Sequence, residues 1–321
     1  MKVYSRLVAV LAVVIVAGAC SSGDAETGDA DSATTEASDG GSTGSGSGSG
    51  SYEATITRTT GGVPHITAAD LESAAFGQGW ASAEDHACSL ADQILKVFSR
   101  RAEFLGAGED DENVESDFAW VNIGLADLAA GEWPEQSEAT RSLITAYTEG
   151  WNTYLAETGA ENVAGWCAGA EWLVPIEPVE LYTYARSIAL NASSNRLIPY
   201  IGGAQPPDSD AAGGEPLPLL QAPADPGPAP GSNGWALGSE RTEEGNALLL
   251  ANPHFPWEGE LRFWEVHLDI EEGPSVYGAQ LTGLPGVGLG FTDGVGWTHT
   301  VSAGTRFTAY TLDLVEGDPT S

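Results

Sequence analysis

The chain has 321 residues, 42% of them hydrophobic, which is enough for a real core and a length suited to about two domains. Against 12 basic residues stand 46 acidic ones, for a net charge of −34. That balance excludes nucleic acid and anionic lipid as partners gripped by charge, and it fits a secreted protein kept soluble by surface acid.

Residues 1–20 carry the three parts of an export signal. Lys2 and Arg6 supply the charged start, residues 7–16 the apolar core, and Ala17-Gly18-Ala19-Cys20 small residues ending in Cys. The apolar run is too short for a comfortable membrane span. A Cys placed after small residues and before Ser21-Ser22-Gly23-Asp24 resembles a bacterial lipoprotein signal, although Ala17 stands where Leu or Val is commoner. That resemblance implies a mature chain starting at a lipidated Cys20, exported and anchored to the cell membrane. The alternative is an ordinary cleaved signal with an incidental Cys. Residues 21–51 are Ser/Gly/Thr/Asp/Glu without periodicity and read as a disordered, flexible tether.

Over residues 52–58 the pattern alternates with strand period, Tyr52 and Ile56 sharing a face. Gly61-Gly62-Val63-Pro64-His65-Ile66 reads as a turn into a second short strand. Asp70 is placed to cap a helix running to Ala75. Gly77-Gln78-Gly79-Trp80 is expected to open a longer helix over about 81–105, whose apolar Ala87, Leu90, Ile94, Val97, Phe98 and Leu105 recur at threes and fours. Gly106-Ala107-Gly108 would end it. Further helices are expected over 116–130, over 136–156 with Leu143, Ile144, Tyr147, Trp151 and Leu155 on one stripe, and over 180–190 after Pro175 and Pro178. Residues 52–205 thus form a mostly helical packing unit. His65 follows Pro64 with no nearby nucleophile and is expected to be structural. Cys88 and Cys167 could pair outside the cytoplasm. Their spacing does not show that they meet, and a buried thiol at Cys88 is an equal reading. No Cys/His spacing reads as a zinc site.

Residues 206–231 are a Pro/Gly/Ala-rich spacer, stopping at Gly231-Ser232-Asn233-Gly234-Trp235. Strand-like runs follow over 235–238, 247–251 and 263–270. A spacer that ends at Gly-Ser and enters a strand is what a self-cleaving precursor needs. Gly231 permits a strained turn, and the Ser232 hydroxyl is then placed to attack the carbonyl before it. Cleavage would give Ser232 a free α-amine, ordinarily of pKa about 7.7–8.0. Such an amine can act as base for its own hydroxyl without a separate histidine. The plainer reading of Gly-Ser-Asn-Gly is a polar turn. A third reading, an ester-cleaving serine hydrolase, lacks a Gly-X-Ser-X-Gly elbow with a following acid and histidine.

Several stretches, in order, resemble the penicillin-acylase-type N-terminal-nucleophile (Ntn) hydrolases. They are Val63-Pro64-His65-Ile66, Gly77-Gln78-Gly79-Trp80-Ala81-Ser82-Ala83-Glu84-Asp85, Arg100-Arg101-Ala102-Glu103-Phe104-Leu105-Gly106, Gly231-Ser232-Asn233-Gly234-Trp235-Ala236-Leu237-Gly238, Ala251-Asn252-Pro253-His254-Phe255-Pro256-Trp257 and Thr298-His299-Thr300-Val301. Leu284-Pro285-Gly286 and Gly288-Leu289-Gly290-Phe291 fit the strands between. Ala87-Cys88 and the His-Phe-Pro-Trp run are most similar to the acyl-homoserine lactone and aculeacin acylases.

The resemblance implies an α+β fold, the Ntn-hydrolase αββα sandwich. A mainly helical α-chain (52–205) and the start of a β-rich β-chain (232–321) would arise by cleavage between Gly231 and Ser232 and stay together as a heterodimer. It implies Ser232 as nucleophile, His254 beside it in processing and catalysis, Val301 donating its backbone N–H to the oxyanion, and Asn233 shaping the turn. His254 also follows a buried-looking strand, at a strand end where sites often lie; a packed, satisfied histidine is the alternative. His267 and His299 are expected to be structural. No cofactor is expected. The wider family binds calcium partly through acidic residues shortly after the Val301 position, where this chain has Gly304-Thr305-Arg306-Phe307. Family β-chains are much longer than 232–321 and carry a second oxyanion donor, an Asn far downstream, so a fragment is expected. The implied substrates are N-acylated small molecules: acyl-homoserine lactones, lipopeptides such as aculeacin, or β-lactam side-chain amides. Phe255, Trp257 and Leu284 are candidates for an acyl pocket, although most apolar residues are expected to be core. The alternative function is a non-catalytic surface lipoprotein or pseudoenzyme.

Overall fold

The computed structural model describes residues 43–47, 52–191, 231–271 and 273–302, with single positions at 193, 197, 198, 201, 306, 308, 310 and 315. Cys20 with its signal, the rest of the tether, the spacer over 206–230, and Gly304, Thr305 and Phe307 lie outside the described residues. Seven strands form one sheet in the order β1-β2-β3-β6-β7-β8-β9. They are β1 (Thr43–Ser47), β2 (Glu53–Arg58), β3 (Pro64–Ala68), β6 (Phe263–Ile270), β7 (Ser275–Leu281), β8 (Leu289–Phe291) and β9 (Gly296–Trp297). The remaining two, β4 (Gly231–Leu237) and β5 (Leu248–His254), form a separate antiparallel ribbon. Every pairing in the large sheet is antiparallel except β3 with β6, which is parallel. Strands from before the spacer meet strands from after it along that one seam.

Period-two alternation decides the faces. Ala54, Ile56, Ile66, Ala68, Trp264, Val266, Leu268 and Ile270 turn inward and are buried against Phe76, Ala81, Leu143 and Ala146 of the helical layer. On the opposite face His65, His267, Tyr277 and Phe291 stand in register across four strands. The Nδ1 atoms of His65 and His267 are 2.8 Å apart, a contact that holds one proton between two rings. Burial and the neighbouring His65 lower the pKa of His267, whose Nε2 lies 2.8 Å from Ser275 Oγ. Thr43–Ser47, expected within the tether, instead pairs with β2 as β1. Ladder hydrogen bonds use only backbone groups, so a Gly-Ser segment can complete an open strand edge despite its composition.

The helical layer departs from expectation where backbone contacts outweigh local signals. Helix α1 (Leu71–Val97) starts at the Asp70 cap, which accepts the Ser73 N–H at 2.7 Å, and runs straight through Gly77 and Gly79. Those glycines do not open a helix: Gly77 lets α1 lie against Ala54 of β2 and Ile66 of β3, and Gly79 lets α5 (Glu138–Thr158) cross in backbone contact. A Cβ on Gly79 would lie 2.0 Å from the Tyr147 carbonyl oxygen, and one on Gly150 would lie 1.9 Å from that of Phe76. The expected helix over 81–105 ends at Val97, because Ser99 takes a left-handed φ of 57°, and α2 (Arg101–Leu105) is a separate short turn. Leu105 therefore reaches the surface. The expected 116–130 helix is two, α3 (Glu112–Ile123) and α4 (Leu125–Glu132), broken at Gly124 with φ 65°. The α5 stripe of Leu143, Ile144, Tyr147, Trp151 and Leu155 is buried as the pattern predicts. Helix α6 (Pro178–Leu190) begins on Pro178 itself, whose missing N–H no helical bond requires there. A capping box of Glu177 and Glu180 completes that end.

Two cross-links fasten the layer. Cys88 on α1 and Cys167 form a disulfide, their Cα atoms 5.3 Å apart, which resolves the open choice between a bridge and a thiol. Asp85 on α1 accepts Arg58 Nη1 of β2 at 3.0 Å and Trp264 Nε1 of β6 at 2.8 Å, so one carboxylate ties both sides of the seam to the helix.

Candidate active site

The β4–β5 register sets Gly231 opposite His254, Ser232 opposite Pro253 and Asn233 opposite Asn252. The strand therefore begins at Gly231, four residues earlier than the apolar pattern from Trp235 indicates. Backbone pairing to β5 carries it through the polar tetrapeptide. Ser232 Oγ donates to the carbonyl oxygen of Gly231 at 2.5 Å, so the hydroxyl lies against the Gly231–Ser232 peptide bond. Asn233 Nδ2 lies 3.2 Å from His254 Nε2. An amide nitrogen only donates, so Nε2 is the acceptor in this contact. Nδ1 in turn faces Gly231, at 3.3 Å from where a Cβ would stand. Any larger residue at 231 would press on the imidazole.

Gly231, Ser232, Asn233 and His254 thus form one cluster. His254 touches it through Asn233 and Gly231; among the described residues no hydrogen bond joins His254 to Ser232 directly. The segment leading to Val301 runs beside the same strand. A Cβ on Gly234 would meet Thr298 Cγ2 at 2.8 Å and Thr300 Cγ2 at 3.5 Å, and Val301 follows one residue later. Along the ribbon and the segments flanking it, Trp235, Leu248, Leu250, Val301 and especially Trp257, which is 91% exposed, present apolar surface. Phe255 lies against Phe263 with ring centroids 5.0 Å apart and planes tilted by 54°, and Leu284 packs against the helical core. Among the described residues no group of three or more His, Cys, Asp or Glu side chains is arranged to hold a metal ion.

Sequence reasoning missed one polar residue of the helical layer. Gln78, between Gly77 and Gly79 of α1, is fully buried and spends both amide atoms on the Gly286 backbone. A polar residue flanked by two glycines on a helix's packed face was the available signal.

The penicillin amidase family description matches residues 53–321. The acyl-homoserine lactone acylase PvdQ of Pseudomonas fluorescens is 38% identical over 277 residues, covering 83% of this chain and 35% of that protein. Aculeacin-A acylase of Actinoplanes utahensis is 34% identical over 286 residues, covering 85% and 36%. The penicillin acylase 2 proenzyme of a Pseudomonas species is 24% identical over 266 residues, covering 72% and 34%. The chain spans about a third of the length of these curated relatives. The match starts at the first residue of β2 and takes in the helical layer, the Ser232 ribbon and the strands after it: the chain belongs to the penicillin amidase family.

Proposed function

We propose that the chain is the nucleophile-bearing part of an exported amidohydrolase that removes the acyl group of a small-molecule amide. The observation that carries this reading is the Ser232 hydroxyl held 2.5 Å from the Gly231 carbonyl oxygen, with His254 packed at that glycine. Rotation of the hydroxyl from oxygen to carbon would form the tetrahedral adduct. Collapse breaks the Gly231 C–Ser232 N bond, leaving the acyl group on Ser232 Oγ and the hydroxyl proton on the freed α-amine; water then hydrolyses the ester, releasing the Gly231 carboxylate and restoring the Ser232 hydroxyl. In turnover the same oxygen attacks the substrate amide carbonyl, the amine takes its proton and passes it to the leaving nitrogen, and the Val301 N–H steadies the oxyanion. His254 and Asn233 hold the strand start in place. The acylase names of the relatives support the reaction class, and the word proenzyme in one of them supports cleavage. The exposed apolar side chains of the ribbon and its flanking segments suit an acyl chain, so acyl-homoserine lactones, lipopeptides and β-lactam side-chain amides are the substrates to try. The Cys88–Cys167 bridge fits an oxidising compartment outside the cytoplasm, with Cys20 as the lipid anchor.

The test is intact mass and acid release on the full-length protein. We expect two chains with Ser232 as a new N-terminus and release of fatty acid from an N-acyl-homoserine lactone or of acid from an acylated β-lactam. Ser232→Ala should stay one chain and release none. An uncut, inactive wild type would favour the non-catalytic alternative, and maturation of Ser232→Ala would overturn the mechanism.

A further inference from the structure

The turn over 282–288 has backbone bonds of its own, from the Leu284 N–H to the Leu281 carbonyl and from the Gly288 N–H to that of Ala279, and is held from the helical layer as well. Gly286 donates its N–H to Gln78 Oε1 at 2.7 Å, and its carbonyl accepts Gln78 Nε2 at 2.9 Å. The Tyr184 hydroxyl donates to the Thr282 carbonyl at 2.8 Å. Gly283 sits so tightly on Leu90 that an added Cβ would lie 2.7 Å from Leu90 Cδ1. The helical layer grips this turn at three points, and the Gln78 grip fixes the orientation of Gly286 as well as its position, because it holds the two peptide groups on either side of that residue.

The far side of the turn leads to the site through short physical steps. Two residues past Gly286, the Gly288 carbonyl accepts the Trp297 indole N–H at 3.1 Å. Trp297 ends β9, and the next residue, Thr298, lies against Gly234 two positions from Ser232. We propose that Gln78 is a positioning residue for the Ser232 site: from inside the helical layer it sets the 282–288 turn and, through the Gly288–Trp297 bond, the 298–301 segment that carries the oxyanion donor. This inference rests on the acylase reading given above, which supplies the role of Val301. It gives the helical half a part in turnover, although none of its side chains need touch the substrate. A peptide N–H misplaced by about 1 Å costs on the order of 100-fold in rate, so a clamp of this kind matters without contacting the reacting atoms.

The experiment uses Gln78→Met and Gln78→Glu in the full-length protein. Gln78→Met keeps the length and removes both hydrogen bonds. Its kcat should fall about tenfold or more with KM within about twofold, in protein whose chain composition and disulfide are normal. Gln78→Glu should resemble it at high pH. It should recover as the pH is lowered, because a protonated carboxyl restores the donor and acceptor pair and its burial favours that neutral form. A structural role alone would produce neither the kcat-only loss nor the new pH limb. Unchanged kcat in both variants overturns the proposal. A second readout needs no activity. In the uncleaved Ser232→Ala background, Gln78→Met should lower hydrogen-exchange protection of the Trp297 indole N–H at least tenfold. Unchanged protection also overturns it, whereas an inactive wild type with lost protection sinks only the acylase reading.

Discussion

The α1–α5 crossing gives the sharpest stability test, because two effects of opposite sign compete at one atom. Gly150→Ala should gain about 1 kcal/mol of helix propensity in the middle of α5. Against this, the new Cβ would lie 1.9 Å from the Phe76 carbonyl oxygen and 2.8 Å from the Trp80 nitrogen, where a carbon–oxygen contact needs roughly 3.3 Å. The helices must part locally by about 1.4 Å. Gaps of roughly 0.5–1 Å already forfeit a quarter to a half of the dispersion wells. Phe76, Tyr147 and Trp151, all 0% exposed, line the crossing and would lose contacts together. Overpacking of this kind costs about 1–3 kcal/mol before such gaps are counted. We therefore expect a net loss of about 2–4 kcal/mol, measured as a shift in urea midpoint at constant slope in the uncleaved Ser232→Ala protein. Gly131→Ala is the control: it lies near the end of α4 with no atom within 4 Å of its added Cβ, so stability should stay level or rise by up to about 1 kcal/mol. Equal stability of Gly150→Ala and wild type would refute the close-contact argument, as would equal losses at both glycines.

Reduction of the Cys88–Cys167 bridge, which closes a loop of 79 residues, should cost about 4.5 kcal/mol by loop-closure entropy, visible as a reductant-dependent fall in urea midpoint that Cys88→Ala abolishes. His86, buried at a kink in α1 with its Nε2 unpartnered, has its pKa pushed down from 6.5 to about 4, chiefly by burial and against the pull of Asp85. Between those two values the unfolded chain binds the extra proton, so stability falls as pH drops from 6.5 towards 4, by about 3 kcal/mol in all. Subtracting the pH–stability curve of His86→Gln should isolate that loss, and parallel curves would contradict it.

Much of this fold is written in side-chain periodicity. The α5 stripe from Leu143 to Leu155 and the alternation around Ile56 and Val266 are single-face patterns, and burial follows them. The misreadings come from contacts between residues far apart in sequence. Gly77 and Gly79 look like a helix start because the reasons for them, the side chains of Ala54 and Ile66 for one and the α5 backbone at Tyr147 for the other, lie outside the helix. Ser99 and Gly124 break helices through left-handed φ that apolar spacing does not report. At the candidate site Gly231, Ser232, Asn233 and His254 were found from local chemistry and a family likeness, and β4–β5 pairing brings them together. Gln78 escaped because its partner is a backbone 208 residues on, which nothing in its own neighbourhood announces.

The parallel ladder between β3 and β6 carries a mechanical consequence for maturation. Its two strands stand on opposite sides of the Gly231–Ser232 bond, yet Ile66 and Leu268 are neighbours in the middle of one continuous sheet. Cutting that bond would sever the polypeptide without loosening the body. The products would migrate as a single particle in a sizing column and separate into two bands only under denaturant, and the proline-rich thread between them could be trimmed away with the assembly still whole.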